Sequence, residues 1–246
     1  MVGAVTEPYY HDAEAGITIY CGDCREILPG LTADALITDP PYGVGLVTKT
    51  SDYRQSDAFD NGASLRASVL YEDSPEYVSQ LIRKAILPAL KVCDRALIFC
   101  GTRMMFAYPE PTAIGCVFTP NGAGRGRWGF QVMHPILFYG ADPYLADGKG
   151  SRPNGFRTER PNLEKVDHPC PKPLPWMTWA VNRASRLGET ILDPFMGSGT
   201  TLLAARLDGR RAIGIEIEER YCEIAVERLA QGVLPLSSPS RELDRK

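Results

Sequence analysis

Four consecutive residues, Asp39-Pro40-Pro41-Tyr42, bring together a carboxylate, two positions without an amide hydrogen and a phenol ring. Two prolines fix the local backbone, so the Asp39 carboxylate and the Pro40 carbonyl can act together as rigid hydrogen-bond acceptors. Such a pair can hold both hydrogens of an exocyclic amine. Accepting from that amine moves its nitrogen toward tetrahedral geometry and aims the lone pair at an electrophilic methyl carbon, while the Tyr42 ring offers a stacking face. The rate gain would come from orientation and from stabilising positive charge that develops on nitrogen. A turn built on Asp-Pro alone would need neither the second proline nor the tyrosine.

A second constellation lies about 150 residues further on. Ile191-Leu-Asp193-Pro194-Phe195-Met-Gly197-Ser198-Gly199-Thr200-Thr reads as a strand, a tight glycine turn and the start of a helix. Glycine lets the backbone approach a ligand closely, and a helix amino terminus offers free N–H groups to an anionic part of it. Nineteen residues beyond Gly197 stands Glu216, at the end of the next apolar run, where an acid can accept from ribose hydroxyls. The fingerprint of dinucleotide oxidoreductases needs a third glycine, and here Gly199 is followed by Thr-Thr-Leu-Leu. Asp193 at the strand end could hold a cationic amino group. That suits the amino-acid portion of S-adenosylmethionine better than a pyrophosphate.

Positioning these segments requires alternating strands and helices. Strands are predicted at 17–20, 34–38, 95–100, 189–192 and 212–216, and an outer strand at 132–139. Helices are predicted over 25–28, from Pro75 with Ser74 as cap, from Pro175 or Trp176 to 186, over 199–207 and over 219–230. Pro88 is expected to kink or end the second of these. Trp176 and Trp179, three apart on a helix, read as core anchors. His11 and His134 carry no functional assignment. The sum is a doubly wound, mostly parallel α/β sheet with an antiparallel edge strand, within one domain over 1–231. Residues 43–73 are expected to form a mobile loop, 102–166 an inserted target-recognition region and 232–246 a loose tail.

At 246 residues and 44% hydrophobic content, the chain can bury the core of one such domain. No run approaches the ~20 apolar residues of a membrane helix, and no secretion signal opens the sequence, so a cytoplasmic location without a membrane partner is expected. Seven cysteines, an odd number, point to reduced thiols. Cys21-Gly-Asp-Cys24 is half of a four-ligand set, and no metal site is expected from it. A formal charge of −3 restricts any nucleic-acid surface to a local patch. Between positions 120 and 165, Arg125, Arg127, Lys149, Arg152, Arg157, Arg160 and Lys165 outnumber Asp142, Asp147, Glu159 and Glu164. Arg125 and Arg127 lie in Gly-Ala-Gly-Arg-Gly-Arg-Trp128, where glycine backbone lets arginine follow phosphates or reach a base edge. Lys49 and Arg54, in the 43–73 loop, are further candidates for DNA contact, with Arg152 and Arg157.

Asp39-Pro-Pro-Tyr42 and Phe195-Met-Gly197-Ser-Gly199 together resemble the two signature motifs of the DNA amino-methyltransferases, and the resemblance spans roughly residues 17–230. The catalytic motif precedes the cofactor motif, with a basic region between, which resembles the β class of that family. His168-Pro-Cys-Pro-Lys172-Pro173 resembles the element that encloses the methionine end of the cofactor, and Gly22-Asp23 the element whose acid approaches its adenine. The resemblance implies direct methyl transfer from S-adenosylmethionine to an amino group in double-stranded DNA, without a covalent intermediate. Asp rather than Ser at the first catalytic position resembles the adenine-N6 enzymes more than the cytosine-N4 enzymes. It also implies a homodimer and a companion restriction endonuclease as partners. Cys170-Pro171 departs from the usual residues before Lys172, and the recognition segment is short. A catalytically silent nucleic-acid-binding module of the same fold is the alternative of another class.

Overall fold

The computed structural model describes residues 7–44, 73–121, 125–126, 128–159 and 171–231. In chain order, β1 (Tyr10–Asp12) pairs antiparallel with β2 (Ile17–Cys21), and α1 (Cys24–Ile27) leads into β3 (Ala33–Thr38). Helix α2 (Pro75–Leu81) starts on Ser74, whose hydroxyl accepts from the Tyr77 amide, with Pro75 in the first turn where a missing N–H costs nothing. A π-helical turn over Ile82–Ile86 carries the chain into α3 (Leu87–Lys91). Pro88 therefore does not end the helix, because the widened turn just upstream changes the hydrogen-bond pattern where proline has no donor.

Strand β4 (Cys93–Phe99) is followed by β5 (Ala113–Phe118), the hairpin β6 (Arg125–Gly126) and β7 (Gly129–Phe130), β8 (Met133–Tyr139), α4 (Pro143–Ala146) and β9 (Gly155–Arg157). The remainder is α5 (Leu174–Ala184), β10 (Thr190–Asp193), α6 (Thr200–Leu207), β11 (Arg211–Glu216) and α7 (Glu219–Gln231). Nine strands make one sheet in the order β1-β2-β11-β10-β3-β4-β8-β5-β9. The run from β2 to β4 is parallel, whereas β1 lies antiparallel at one edge and β8 lies antiparallel to both β4 and β5.

One sequence expectation changes here. The 133–139 strand is interior rather than outer, because β5, unforeseen in the sequence, and β9 continue the sheet beyond it. Within 102–166, β5, β8 and β9 join the main sheet, and β6 and β7 pair with each other in a separate two-stranded sheet.

Successive side chains in the central strands alternate between two cores. Ala35, Ile37, Leu97, Phe99 and Ile191 pack with α5, α6 and α7, while Leu36, Ala96, Ile98 and Leu192 pack with α1, α2 and α3. Burial on both faces explains why these strands read as unbroken apolar runs. Parallel strands also share one carboxyl edge, so Gly22, Asp39, Cys100, Pro194 and Ile217 all emerge on the same side of the sheet. Among the described residues no helix is long and apolar enough to cross a membrane.

Candidate active site

Strands β3 and β10 are neighbours although their sequences are far apart, and their ends are stitched together. The Thr38 hydroxyl donates to Asp193 Oδ1 at 2.7 Å, and Thr201, in the first turn of α6, donates to Oδ2 at 2.5 Å. The Phe195 amide adds a third bond to Oδ1 at 3.1 Å. Asp193 is only 2% exposed, and this burial raises its pKa to about 6 against the opposing pull of those donors. Its carboxylate thus braces the junction of the two strands, where the sequence had suggested a hold on a cationic ligand group. Thr38 and Thr201 are site residues the sequence reading missed. Their only signal was adjacency, one to Asp39 and the other to the glycine turn.

The turn after β10 depends on its glycines. Gly197 and Gly199 sit at φ of 51° and 76°, and a Cβ on Gly199 would stand 2.7 Å from the Ala225 Cβ of α7. The Gly197 amide donates to Glu216 Oε2 at 3.0 Å, and the Glu218 amide to Oε1 at 2.9 Å. Burial pushes the Glu216 carboxyl up to about 7, with these backbone donors opposing it. Each oxygen keeps lone-pair capacity, which suits the diol of a ribose. The Gly22 amide donates to the Glu216 carbonyl at 2.8 Å, so the Gly22-Asp23 element and the end of β11 lie side by side, as a nucleoside site would require.

Arg228 of α7 ties the turn from behind, donating to the Ser198 carbonyl at 2.6 Å and to the Thr200 hydroxyl at 3.0 Å. Nothing in the sequence marked Arg228. Pro194 is buried, and Phe195 packs against the core on the α1 side. The Asp23 carboxylate caps α1 through the Arg25 amide at 2.9 Å and pairs with the Arg25 guanidinium, which holds its pKa below the usual range. Asp23 thus caps α1 at the place where the sequence reading expects it to approach an adenine. Cys24 is buried and Cys21 half-buried, both as free thiols, and burial lifts the Cys24 thiol to about 12.

Asp39 emerges directly after β3. Its Oδ1 accepts from the Tyr42 hydroxyl at 2.5 Å and its Oδ2 from Lys172 Nζ at 2.5 Å. Burial, and then the Asp39 charge, hold the Tyr42 phenol well above its ordinary pKa, so it stays a protonated donor. The ring lies against Gly101, where a Cβ would approach the Tyr42 Cβ to 2.8 Å. Pro40 is buried and Pro41 half-buried. Just beyond, the Gly43 and Val44 amides donate to the Asp73 carboxylate at 2.6 and 3.2 Å, anchoring the motif to the start of α2. Lys172 thus meets Asp39, whereas the sequence reading groups it with the cofactor. His134, unassigned from sequence, packs on Trp176 with ring centres 4.6 Å apart and is near enough to Lys172 and Asp39 to feel both charges. Burial first, then Lys172, lowers it to about 4, so it is neutral near pH 7.

The candidates for DNA contact divide. Arg157 is exposed at the end of β9, and Arg125 lies in β6 of the hairpin beside the fully exposed Trp128. Arg152 is turned inward: it pairs with Asp142 at 2.5 Å, donates to the Asn182 and Arg183 carbonyls and stacks 3.9 Å over Tyr144. These contacts fasten the α4 region to α5. Lys49, Arg54, Arg127 and His168 lie outside the described residues, as do most of the 43–73 loop and the whole of the 232–246 tail.

Residues 146–227 match the protein family described as DNA methylase, a span that runs from α4 through the glycine turn into α7. The chain is 26% identical to the type II methyltransferase M.ScaI of Streptomyces caespitosus over 267 aligned residues, covering 92% of this chain and 84% of that one. The solved complex of M1.HpyAVI with SAM superposes with a TM-score of 0.55 at 25% identity, over 87% of this chain and all of the other. PvuII DNA methyltransferase, a cytosine-N4-specific enzyme, shares the fold with a TM-score of 0.55 at 13% identity, covering 87% and 86%.

Proposed function

We propose that this chain, which belongs to the family of DNA amino-methyltransferases, methylates the N6 amine of adenine at specific sites in double-stranded DNA. It is an S-adenosylmethionine-dependent DNA methyltransferase. The observation carrying the site assignment is the Thr38–Asp193 bond, which places the residue before Asp39 against the strand that delivers the glycine turn. Two segments about 150 residues apart thereby open on one edge of the sheet.

Glu216 fits a ribose and the Gly197–Gly199 turn fits close approach by a nucleoside, so these residues, with Pro194, Phe195, Ser198 and Thr200 around the turn, would hold the cofactor. His168 is carried into this set from the family resemblance. When bound, S-adenosylmethionine supplies an electrophilic methyl group on a cationic sulfur. Asp39 and the Pro40 carbonyl accept the two amine hydrogens and orient the nitrogen lone pair toward that carbon. In that transfer the C–S bonding pair would stay on sulfur as the N–C bond forms, and the proton the amine loses would pass to solvent. The fixed Asp39 charge stabilises the cation that develops on nitrogen. Tyr42 keeps the carboxylate in place through its hydroxyl and offers its ring to the extruded base.

Asp39 as the first catalytic residue supports adenine over cytosine. Arg125, Arg157 and, in the segments not described, Lys49, Arg54 and Arg127 supply phosphate or base contacts in this reading. A companion endonuclease and a second copy of the chain go with it as partners. Incubation of unmethylated DNA with methyl-tritiated cofactor, digestion to nucleosides and chromatography tests the reading. Label in N6-methyldeoxyadenosine is expected. Label in N4-methyldeoxycytidine would transfer the assignment to cytosine, and none in either would overturn it.

A further inference from the structure

Resting on the reading that this site methylates an amine, we propose that Lys172 is a positioning residue for the Asp39 carboxylate rather than a contact of the cofactor. The ammonium meets Oδ2 at 2.5 Å while the Tyr42 hydroxyl holds Oδ1 at the same distance. One donor on each oxygen sets the plane of the carboxylate, and each oxygen still has a lone pair for a substrate hydrogen. The Lys172 and Asp39 side chains are 16% and 21% exposed, so solvent and salt screen this pair less than a surface one.

A second set of contacts fixes the same head group. Lys172 Nζ lies 5.0 Å from the Tyr42 ring centre and 5.8 Å from that of Phe99 at the end of β4, both within reach of cation–π attraction. Its backbone is short-tethered as well: Pro173 follows, and α5 begins at Leu174 with Trp176 and Met177 buried in the core. The carboxylate that aims the amine is thus anchored from two directions, by Tyr42 of its own segment and by a lysine just ahead of α5. Tilting that carboxylate moves the nitrogen off the line of attack, which costs rate without loosening the cofactor.

The full-length chain separates the two roles. For Lys172→Met, Lys172→Gln and Lys172→Arg, S-adenosylhomocysteine affinity is read by calorimetry and methyl transfer by single turnover at saturating cofactor and DNA. Expected for Met and Gln are a rate lower by on the order of 100-fold, an affinity within about twofold of wild type, and substantial recovery of rate in Arg, which keeps the charge and the donors. An affinity weakened about tenfold or more with the saturated rate intact would make Lys172 a cofactor contact and overturn the proposal. Unchanged rate and affinity in Met and Gln would overturn it too. Should Met fold poorly, the Gln and Arg pair carries the same comparison. A wild-type chain that transfers no methyl group to DNA would instead sink the functional reading, and this proposal with it.

Discussion

Two acids stand at the carboxyl ends of adjacent strands, Asp193 on β10 and Asp39 just past β3, and they have opposite surroundings. Asp193 is closed in, its oxygens taken by two threonine hydroxyls and one backbone amide at the seam of three elements. Asp39 is half-buried and held by the tips of two longer side chains, with room for further donors. The same residue type at equivalent places is thus closed off in one case and, in the proposed reading, left open for chemistry in the other. What separates them is whether the chain itself saturates the carboxylate.

Substitutions can break or sharpen that contrast. Asp39→Ala is expected to lower single-turnover methyl transfer by about a thousand-fold or more, while the melting temperature moves by less than about 3 °C. Asp193→Ala should do the reverse, costing about 3 kcal/mol in denaturant unfolding by stranding two buried hydroxyls and an amide. Equal losses of stability in the two variants would erase the distinction.

Glu216, between these extremes, gives a smaller and pH-dependent effect. Its carboxyl is raised to about 7 and that of Asp193 to about 6, so the folded chain holds protons that the unfolded chain has released. The stability contributed by these two groups is therefore fullest below about pH 4 and is lost as pH climbs through about 7. Glu216→Gln removes one of these groups and should flatten the decline in thermal melts between pH 5 and 8 by roughly 2 kcal/mol. A slope identical to wild type would show that Glu216 is ionised in the fold without penalty. Trp128→Ala should be the mildest, within about 0.5 kcal/mol of wild-type stability, because the side chain is fully exposed. If its reduced DNA affinity in a filter-binding assay accompanies an unchanged affinity for S-adenosylhomocysteine, the hairpin belongs to the recognition surface alone.

The parallel half of the sheet was legible in the sequence because buried strands, glycine turns and a Ser-Pro helix start are local signals. β5 was not: Pro109, Pro111 and Pro120 bracket it, and its place is decided by pairing with β8 across the hairpin. The same holds for the site. Asp39, Gly197 and Glu216 announce themselves by type and spacing, whereas Lys172 on Asp39, Arg228 on Ser198 and Thr38 on Asp193 join residues 133, 30 and 155 positions apart. Such bonds follow from topology, which no window of sequence contains. The inward turn of Arg152 is of this kind too, since Asp142 and the end of α5 compete for it against any phosphate.

The direct contact between β3 and β10 has one more implication. In the sheet, β8, β5 and β9 lie beyond β4 on the flank of β3 away from β10, so these outer strands can be exchanged without prising apart the two signature segments, whereas Phe99 and Gly101 at the end of β4 touch Lys172 and Tyr42 and must stay. In the proposed reading, target preference is thereby free to change without the transfer chemistry. A hybrid that borrows its outer strands from a relative with a different recognition site should inherit the donor's choice of DNA while keeping the host's grip on the cofactor.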